Sequence, residues 1–202
     1  MTAEPTVFVV DDNPAVRKSL QALMNAAGLA SETYASAEEF LATYDARRPG
    51  CLVLDVRLRG RNGLDVQDEL RRRNASVPII VMTGYGDVPT SVRAFKGGAI
   101  DFLRKPVPPK ALIEHIRQAL AIDARAREAA AQHAELVDCI ARLTPRERQV
   151  MDLLAVGKSS KAIAKALDIS VRTVESHRRT VLRKINVSSA AELARAVARL
   201  QP

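Results

Sequence analysis

Apolar residues in the first half of the chain form short unbroken runs, separated by stretches with helical spacing. Thr6-Val7-Phe8-Val9-Val10, Cys51 to Val56 and Val77 to Thr83 are apolar on both faces, and Ile100 to Leu103 is a shorter run of the same kind. A weaker extended segment lies around 29–34. Val16, Leu20, Leu23 and Met24 recur at three and four residues, which predicts a helix over 15–27 that Gly28 stops. Ser36 followed by Glu39 has the form of a capping box for a helix over 37–46. Further helices are expected over 64–74 and 90–97, and from Pro108 onward. Five strand-then-helix repeats, most of whose strands are apolar on both faces, predict a parallel sheet covered on both sides. Right-handed crossovers then set the carboxyl ends of the strands along one rim.

The pattern changes after residue 110. No Pro or Gly occurs until Pro145, and Ala, Arg, Glu and Gln dominate, which favours one long helix, unbroken or broken once. Leu112, Ile113, Ile116 and Leu120 form an apolar stripe that fades over 123–135 and returns at Leu136, Val137 and Ile140. A signalling rod, a dimer seam and a solvated linker all fit. The lack of regular heptads favours the linker. Thr144 as N-cap, Pro145 at the first helical position and Glu147 at the third mark a new start. Helices are then expected over 146–156, 160–167, 171–185 and 190–200, with Gly157 and the turn Asp168-Ile169-Ser170 between them. The fold class is therefore α/β plus all-α. The expected divisions are 1–122, a helical linker at 123–142, and an all-α module at 143–202.

Composition adds to this picture. Of 202 residues 47% are hydrophobic but only 3% aromatic, so the cores must be aliphatic. The net charge of +8 is unevenly spread, +2 over 1–125 against +6 over the shorter 126–202. Basic charge concentrated in one module points to a polyanionic partner there, nucleic acid before others. Cys51 and Cys139 lie far apart with neither metal-ligand nor disulfide spacing. The first residues lack the pattern of a signal peptide, and no apolar run approaches the length of a membrane span. A cytoplasmic protein with no membrane partner is expected.

The strand ends carry the candidate chemistry. In an open parallel sheet, ligands bind beyond the carboxyl ends of the strands. Read in order, those ends offer Asp11 and Asp12, then Asp55, Thr83 and Lys105. Clustered carboxylates suit Mg²⁺, which takes oxygen ligands. A carboxylate beside the cation can attack phosphorus, and a hydroxyl and an ammonium can hold the transferred oxygens.

Val9-Val10-Asp11-Asp12, Leu54-Asp55-Val56, Met82-Thr83-Gly84 and Asp101-Phe102-Leu103-Arg104-Lys105-Pro106 resemble the receiver domain of two-component response regulators, with matching order and spacing over about 5–122. The resemblance implies a flavodoxin-like five-stranded sheet and Asp55 as phosphoacceptor. It implies Mg²⁺ held by Asp55, by Asp12 directly, by Asp11 through water and by the Arg57 carbonyl. Thr83 and Lys105 would contact the phosphoryl group, Phe102 would be the aromatic switch residue, and Lys105-Pro106 matches a cis-peptide site. One departure is clear: Arg59 stands where similar receivers carry Pro, within Arg57-Leu58-Arg59-Gly60-Arg61. Arg57 and Tyr85 occupy positions whose side chains influence phosphoryl lifetime in this family.

The C-terminal module has helix-turn-helix character. Val171, Val174, Val181 and Ile185 share one face of the third helix, while Arg172, Thr173, Ser176, Arg179 and Arg183 occupy another that suits the major groove. Leu143-Thr-Pro-Arg-Glu-Arg-Gln-Val150, Lys161-Ala-Ile-Ala-Lys-Ala-Leu167 and Ile169-Ser-Val-Arg-Thr-Val-Glu-Ser-His177 resemble the LuxR-type domain over about 143–202. That implies groove contacts from Thr173, Val174, Ser176, His177 and Arg178, and phosphate contacts from Lys161 and Lys184. Ser159-Ser160-Lys161 replaces a more usual Ser-Asn-Lys, at the cost of one polar contact. The two modules together are similar to the NarL/FixJ family, with Thr83 to Pro89 and Arg93 to Ala99 nearest its FixJ branch. The resemblance implies a transcription regulator rather than an enzyme. Its partners would be a histidine kinase, double-stranded DNA and RNA polymerase, and it would activate transcription as a phosphorylated homodimer. A protein-contact phosphoryl relay and a Mg²⁺-dependent phosphohydrolase fit the acidic rim alone. The basic third helix argues against the relay, and the lack of a substrate-cleft signature argues against the hydrolase.

Overall fold

The computed structural model describes residues 4–59, 62–84 and 88–200. Arg61 and Tyr85, singled out above, lie outside the described residues. The chain divides into two units, Met1–Arg127 and Glu128–Pro202.

The first unit is built on strands β1 (Thr6–Val10), β2 (Ala30–Tyr34), β3 (Gly50–Asp55), β4 (Ile79–Thr83) and β5 (Ala99–Arg104). All pairings are parallel and the spatial order is β2-β1-β3-β4-β5, the flavodoxin-like arrangement. Between and after them run α1 (Pro14–Ala26), α2 (Ala37–Thr43), α3 (Gly63–Arg72), α4 (Val88–Lys96) and the first part of α5 (Pro109–Ala141). Successive strand residues point to opposite faces. Phe8, Val10, Leu52, Leu54 and Val81 therefore pack under α2, α3 and α4, while Val7, Val9, Cys51, Val53, Ile80 and Met82 pack under α1 and α5. This double burial is why these runs have no polar face. β2 is one of the two edge strands and only its Tyr34 is buried, which accounts for its weak apolar signal.

Two boundaries differ from expectation for identifiable reasons. Helix α2 ends at Thr43, because Tyr44 takes an extended backbone and packs edge-on against Phe8, with ring centroids 5.7 Å apart. The first unit also extends past residue 122 to Arg127. Asp123, only 2% exposed, accepts a hydrogen bond from the Gly50 backbone N–H at 2.9 Å and pairs with Arg127 at 2.8 Å. The Arg127 guanidinium donates to the carbonyls of Ala46, Arg47 and Arg48 at 3.0, 3.0 and 2.6 Å. These bonds tie the start of the expected linker to the loop that enters β3.

The second unit packs α6 (Pro145–Ala155), α7 (Ser160–Leu167), α8 (Val171–Ile185), α9 (Ala190–Ala198) and the end of α5 around Ile140, Val150, Leu154, Ile163, Val174, Val181, Ile185 and Leu193. Thr144 and Glu147 form a complete capping box at α6. Asp168 closes α7 in the left-handed conformation, and Ser170 caps α8 by accepting from the Thr173 N–H at 3.0 Å. Both cysteines are free. Among the described residues, no helix is long and apolar enough to cross a membrane.

Candidate functional site

The parallel register brings the expected residues to one rim. Val10 lies beside Leu54, Asp55 beside Met82 and Thr83 beside Arg104. The side chains of Asp11, Asp12 and Asp55 each place a carboxylate oxygen within 4.8 Å of the others. Asp11 is 2% exposed, and its Oδ1 accepts from the Asn13 N–H at 2.9 Å. Lys105 closes the cluster, with its Nζ 2.6 Å from Asp11 Oδ2 and 3.1 Å from Asp55 Oδ2. Its backbone N–H donates to the Thr83 carbonyl at 2.7 Å, and the Lys105–Pro106 peptide is cis. Thr83 is fully buried. Phe102 is half-buried against the core under α2, α3 and α4.

The loop after Asp55 folds back on itself. Arg57 pairs with Asn62 in an isolated antiparallel bridge, and the Gly63 N–H donates to the Val56 carbonyl at 2.8 Å. A β-carbon on Gly63 would stand 2.0 Å from the Asp55 carbonyl oxygen, so this close approach requires glycine. Arg59 lies over the acidic residues, 3.5 Å from Asp12.

Charge balance is tight here. Burial pushes the Asp55 carboxyl above its ordinary value, and the Lys105 ammonium only partly offsets this. For Lys105, burial works against the ammonium, but hydrogen bonds and charge from Asp11 and Asp55 outweigh it and raise its pKa. An all-oxygen donor set with residual negative charge fits a hard divalent cation such as Mg²⁺.

The second candidate surface is α7-turn-α8. Arg172, Thr173, Ser176, Arg179 and Arg183 on α8 and Lys161 on α7 are exposed, while His177 and Arg178 are half-exposed. The expected groove contact from Val174 is corrected: this side chain is fully buried in the unit's core. It shares the apolar face of α8 with Val181 and Ile185 and does not reach the surface. The Lys184 ammonium is held within the unit, 2.7 Å from the Glu147 carboxylate and 3.4 Å from the Arg142 carbonyl. That pairing holds the Glu147 carboxyl below its ordinary range. The Thr173 hydroxyl sits 2.8 Å from that of Ser170. Ser160, expected to cost a polar contact, instead donates to the Glu175 carboxylate and so links α7 to α8. Sequence reasoning missed Glu175, whose only signal was its place inside a basic helix.

Comparison with known proteins covers both units. Residues 7–117 match the response regulator receiver domain, and residues 141–197 match the luxR family of bacterial regulatory proteins. The chain is 44% identical to the transcriptional regulatory protein FixJ of Azorhizobium caulinodans, across 94% of this chain and 90% of that one. It is 43% identical to nodulation protein W of Bradyrhizobium diazoefficiens, across 94% of this chain and 83% of that one. Among solved structures, response regulator StyR superposes with a TM-score of 0.87 at 41% identity, covering 98% of this chain and all of that one.

Proposed function

From a chain that belongs to the two-component response regulators, as a transcription regulator joining a receiver to a luxR-type DNA-binding domain, we propose that Asp55 is the phosphoacceptor and that its phosphorylation drives dimerisation and sequence-specific DNA binding. The observation that carries this reading is Lys105 Nζ set between Asp11 and Asp55, at 2.6 and 3.1 Å, beside buried Thr83. We assign the receiver to 1–122, the linker to 123–142 and the DNA-binding domain to 143–202, with the bonds of Asp123 and Arg127 anchoring the linker's first turn.

A partner histidine kinase presents a phosphohistidine. An Asp55 carboxylate oxygen attacks phosphorus, the new O–P bond forms as the P–N bond breaks, and the electron pair leaves with the imidazole nitrogen. Asp12, Asp55 and the Arg57 carbonyl, with Asp11 beside them, would hold Mg²⁺, which when bound would supply positive charge for the transferred oxygens. Lys105 and the Thr83 hydroxyl take those oxygens as the group arrives. Thr83 moving toward the phosphate lets Phe102 turn inward, which reshapes the face formed by α4, β5 and α5, and two receivers pair there. Pairing brings two α8 helices to successive major grooves. Arg172, Thr173, Ser176, His177, Arg178 and Arg179 face the groove, while Lys161 and Arg183 meet phosphates. Its chemistry acts on its own Asp55 alone, so the chain is a cytoplasmic regulator, an activator working with RNA polymerase, and not an enzyme.

DNA selection with the full chain, with and without acetyl phosphate and with mass measured in both states, tests this. Phosphodonor should double the mass and raise DNA affinity, and Asp55→Asn should abolish both effects. An Asp55→Asn chain that still responds to phosphodonor would sink the assignment. Binding that does not weaken with salt would sink the DNA-binding role.

A further inference from the structure

The three carboxylates of the rim differ in the cations that neutralise them. Asp11 and Asp55 share Lys105, a side chain 21% exposed and gripped from both sides at 2.6 and 3.1 Å. The partner of Asp12 is different. Its Oδ2 lies 3.5 Å from Arg59 Nε, on a side chain that is 88% exposed. Arg59 lies two residues after Arg57, whose backbone is bridged to Asn62. Lys105 is thus built into the rim, while Arg59 is held from one side with its side chain almost wholly in water.

We propose that Arg59 is a displaceable internal counter-ion that competes with a divalent cation for Asp12. It thereby sets the cation concentration at which Asp55 can be phosphorylated. The inference rests on the reading of the acidic rim as a Mg²⁺ site.

The physical argument is short. A cation bound by Asp12 joins a carboxylate whose Oδ2 already faces a guanidinium, and two cations at one carboxylate repel. Arg59 must then swing away, which its exposure permits. Lys105 cannot do the same without uncovering two carboxylates, so competition falls on Arg59. The size of the effect follows from the exposure. A solvated ion pair contributes little, so removing Arg59 should tighten cation binding only about two- to fivefold. The competition is electrostatic and should fade as salt screens it.

The test is calorimetric titration of the unphosphorylated full-length chain with MgCl₂, at low and high KCl, for wild type, Arg59→Ala, Arg59→Lys and Asp12→Asn. Arg59→Ala should bind Mg²⁺ more tightly than wild type by that factor, with the advantage shrinking at high KCl. Arg59→Lys keeps the charge and should stay near wild type. Thermal melts should match, since so exposed a side chain contributes little packing. Equal affinity in wild type and Arg59→Ala, or weaker binding by Arg59→Ala, overturns the inference and leaves the Mg²⁺ site standing. A different result removes the site itself, and the inference with it: Mg²⁺ affinity undiminished in Asp12→Asn, or no Mg²⁺ binding by wild type and Arg59→Ala alike.

Discussion

Asp55 is a carboxylate held at a cost to the fold. Its raised pKa means that folding favours the protonated acid, chiefly because the ionised form is half-buried. The linkage has a definite sign. The favourable contribution of the neutral acid is present below the unfolded value, 3.8, and is lost as pH rises through the higher folded value. At neutral pH, Asp55→Asn should therefore stabilise the cation-free chain, because Lys105 keeps Asp11 as its partner. Thermal melts in chelator should show a higher melting temperature for Asp55→Asn than for wild type at pH 7, with the gain vanishing below pH 3.8. Added Mg²⁺ should reverse the order, because a ligand that binds the native state stabilises it, and the variant lacks one carboxylate. A variant less stable than wild type in chelator would contradict this account. The rim was legible in the sequence because each of its residues ends an apolar strand, and the parallel topology does the rest. Val174 was misassigned because its groove contact came from the family resemblance alone, whereas its spacing with Val181 and Ile185 already set it on the apolar face that packing buries. The ion pair of Lys184 was equally hidden, since its partner Glu147 lies 37 positions away.

At the scale of elements, the least legible feature is the anchoring of α5. The stretch 123–135 is nearly all Ala and charge, and nothing in its spacing distinguishes Asp123 or Arg127 from solvated residues. Their partners lie 73 to 81 positions away, so the signal exists only in three dimensions. Yet Asp123 is buried, and its carboxylate serves both the Gly50 N–H and Arg127. Removing it leaves the Gly50 donor without its acceptor and takes the carboxylate from a guanidinium that keeps only its three carbonyls. Asp123→Ala should destabilise the first unit by about 1–3 kcal/mol, the cost of an unpaired buried donor. Arg127→Lys should restore little, since one ammonium cannot span three carbonyls as the planar fork does. Denaturant titration of the full chain, followed by far-UV circular dichroism, checks both. If Asp123→Ala cost less than a surface substitution, the anchor would be incidental. The strands and helices of the first unit were readable because double burial leaves unbroken apolar runs. The early end of α2 was not, because Tyr44 leaves the helix to meet Phe8 from another strand.

For the molecule as a whole, the proposed coupling of phosphorylation to assembly needs a surface. Val88, Val92 and Phe95 recur along one side of α4 and are 74, 46 and 53% exposed, and Ile100 on neighbouring β5 is 37% exposed. Contiguous exposed apolar groups of this size usually mark a contact surface. The charges around them are partly withdrawn. Arg93 on α4 is held by Asp65 and Asp68 of α3 at 2.7 and 3.5 Å, which leaves the apolar side of α4 less obstructed. Phe95 is the largest of these groups and should act as the anchor of a paired receiver. Phe95→Asp places a charge where apolar surface must be desolvated, so phosphorylated dimers should weaken by about tenfold or more. Asp55, Lys105 and the rim are untouched by the change, so the rate of phosphorylation by acetyl phosphate should stay near wild type. DNA affinity should fall with the dimer, because two tethered modules bind far more tightly than one. Light scattering of the phosphorylated chain, paired with DNA titration, separates the outcomes. A monomeric Phe95→Asp chain that phosphorylates normally places the coupling at α4 and β5. A chain that still dimerises under phosphodonor moves it to another face and leaves this patch without a role in assembly.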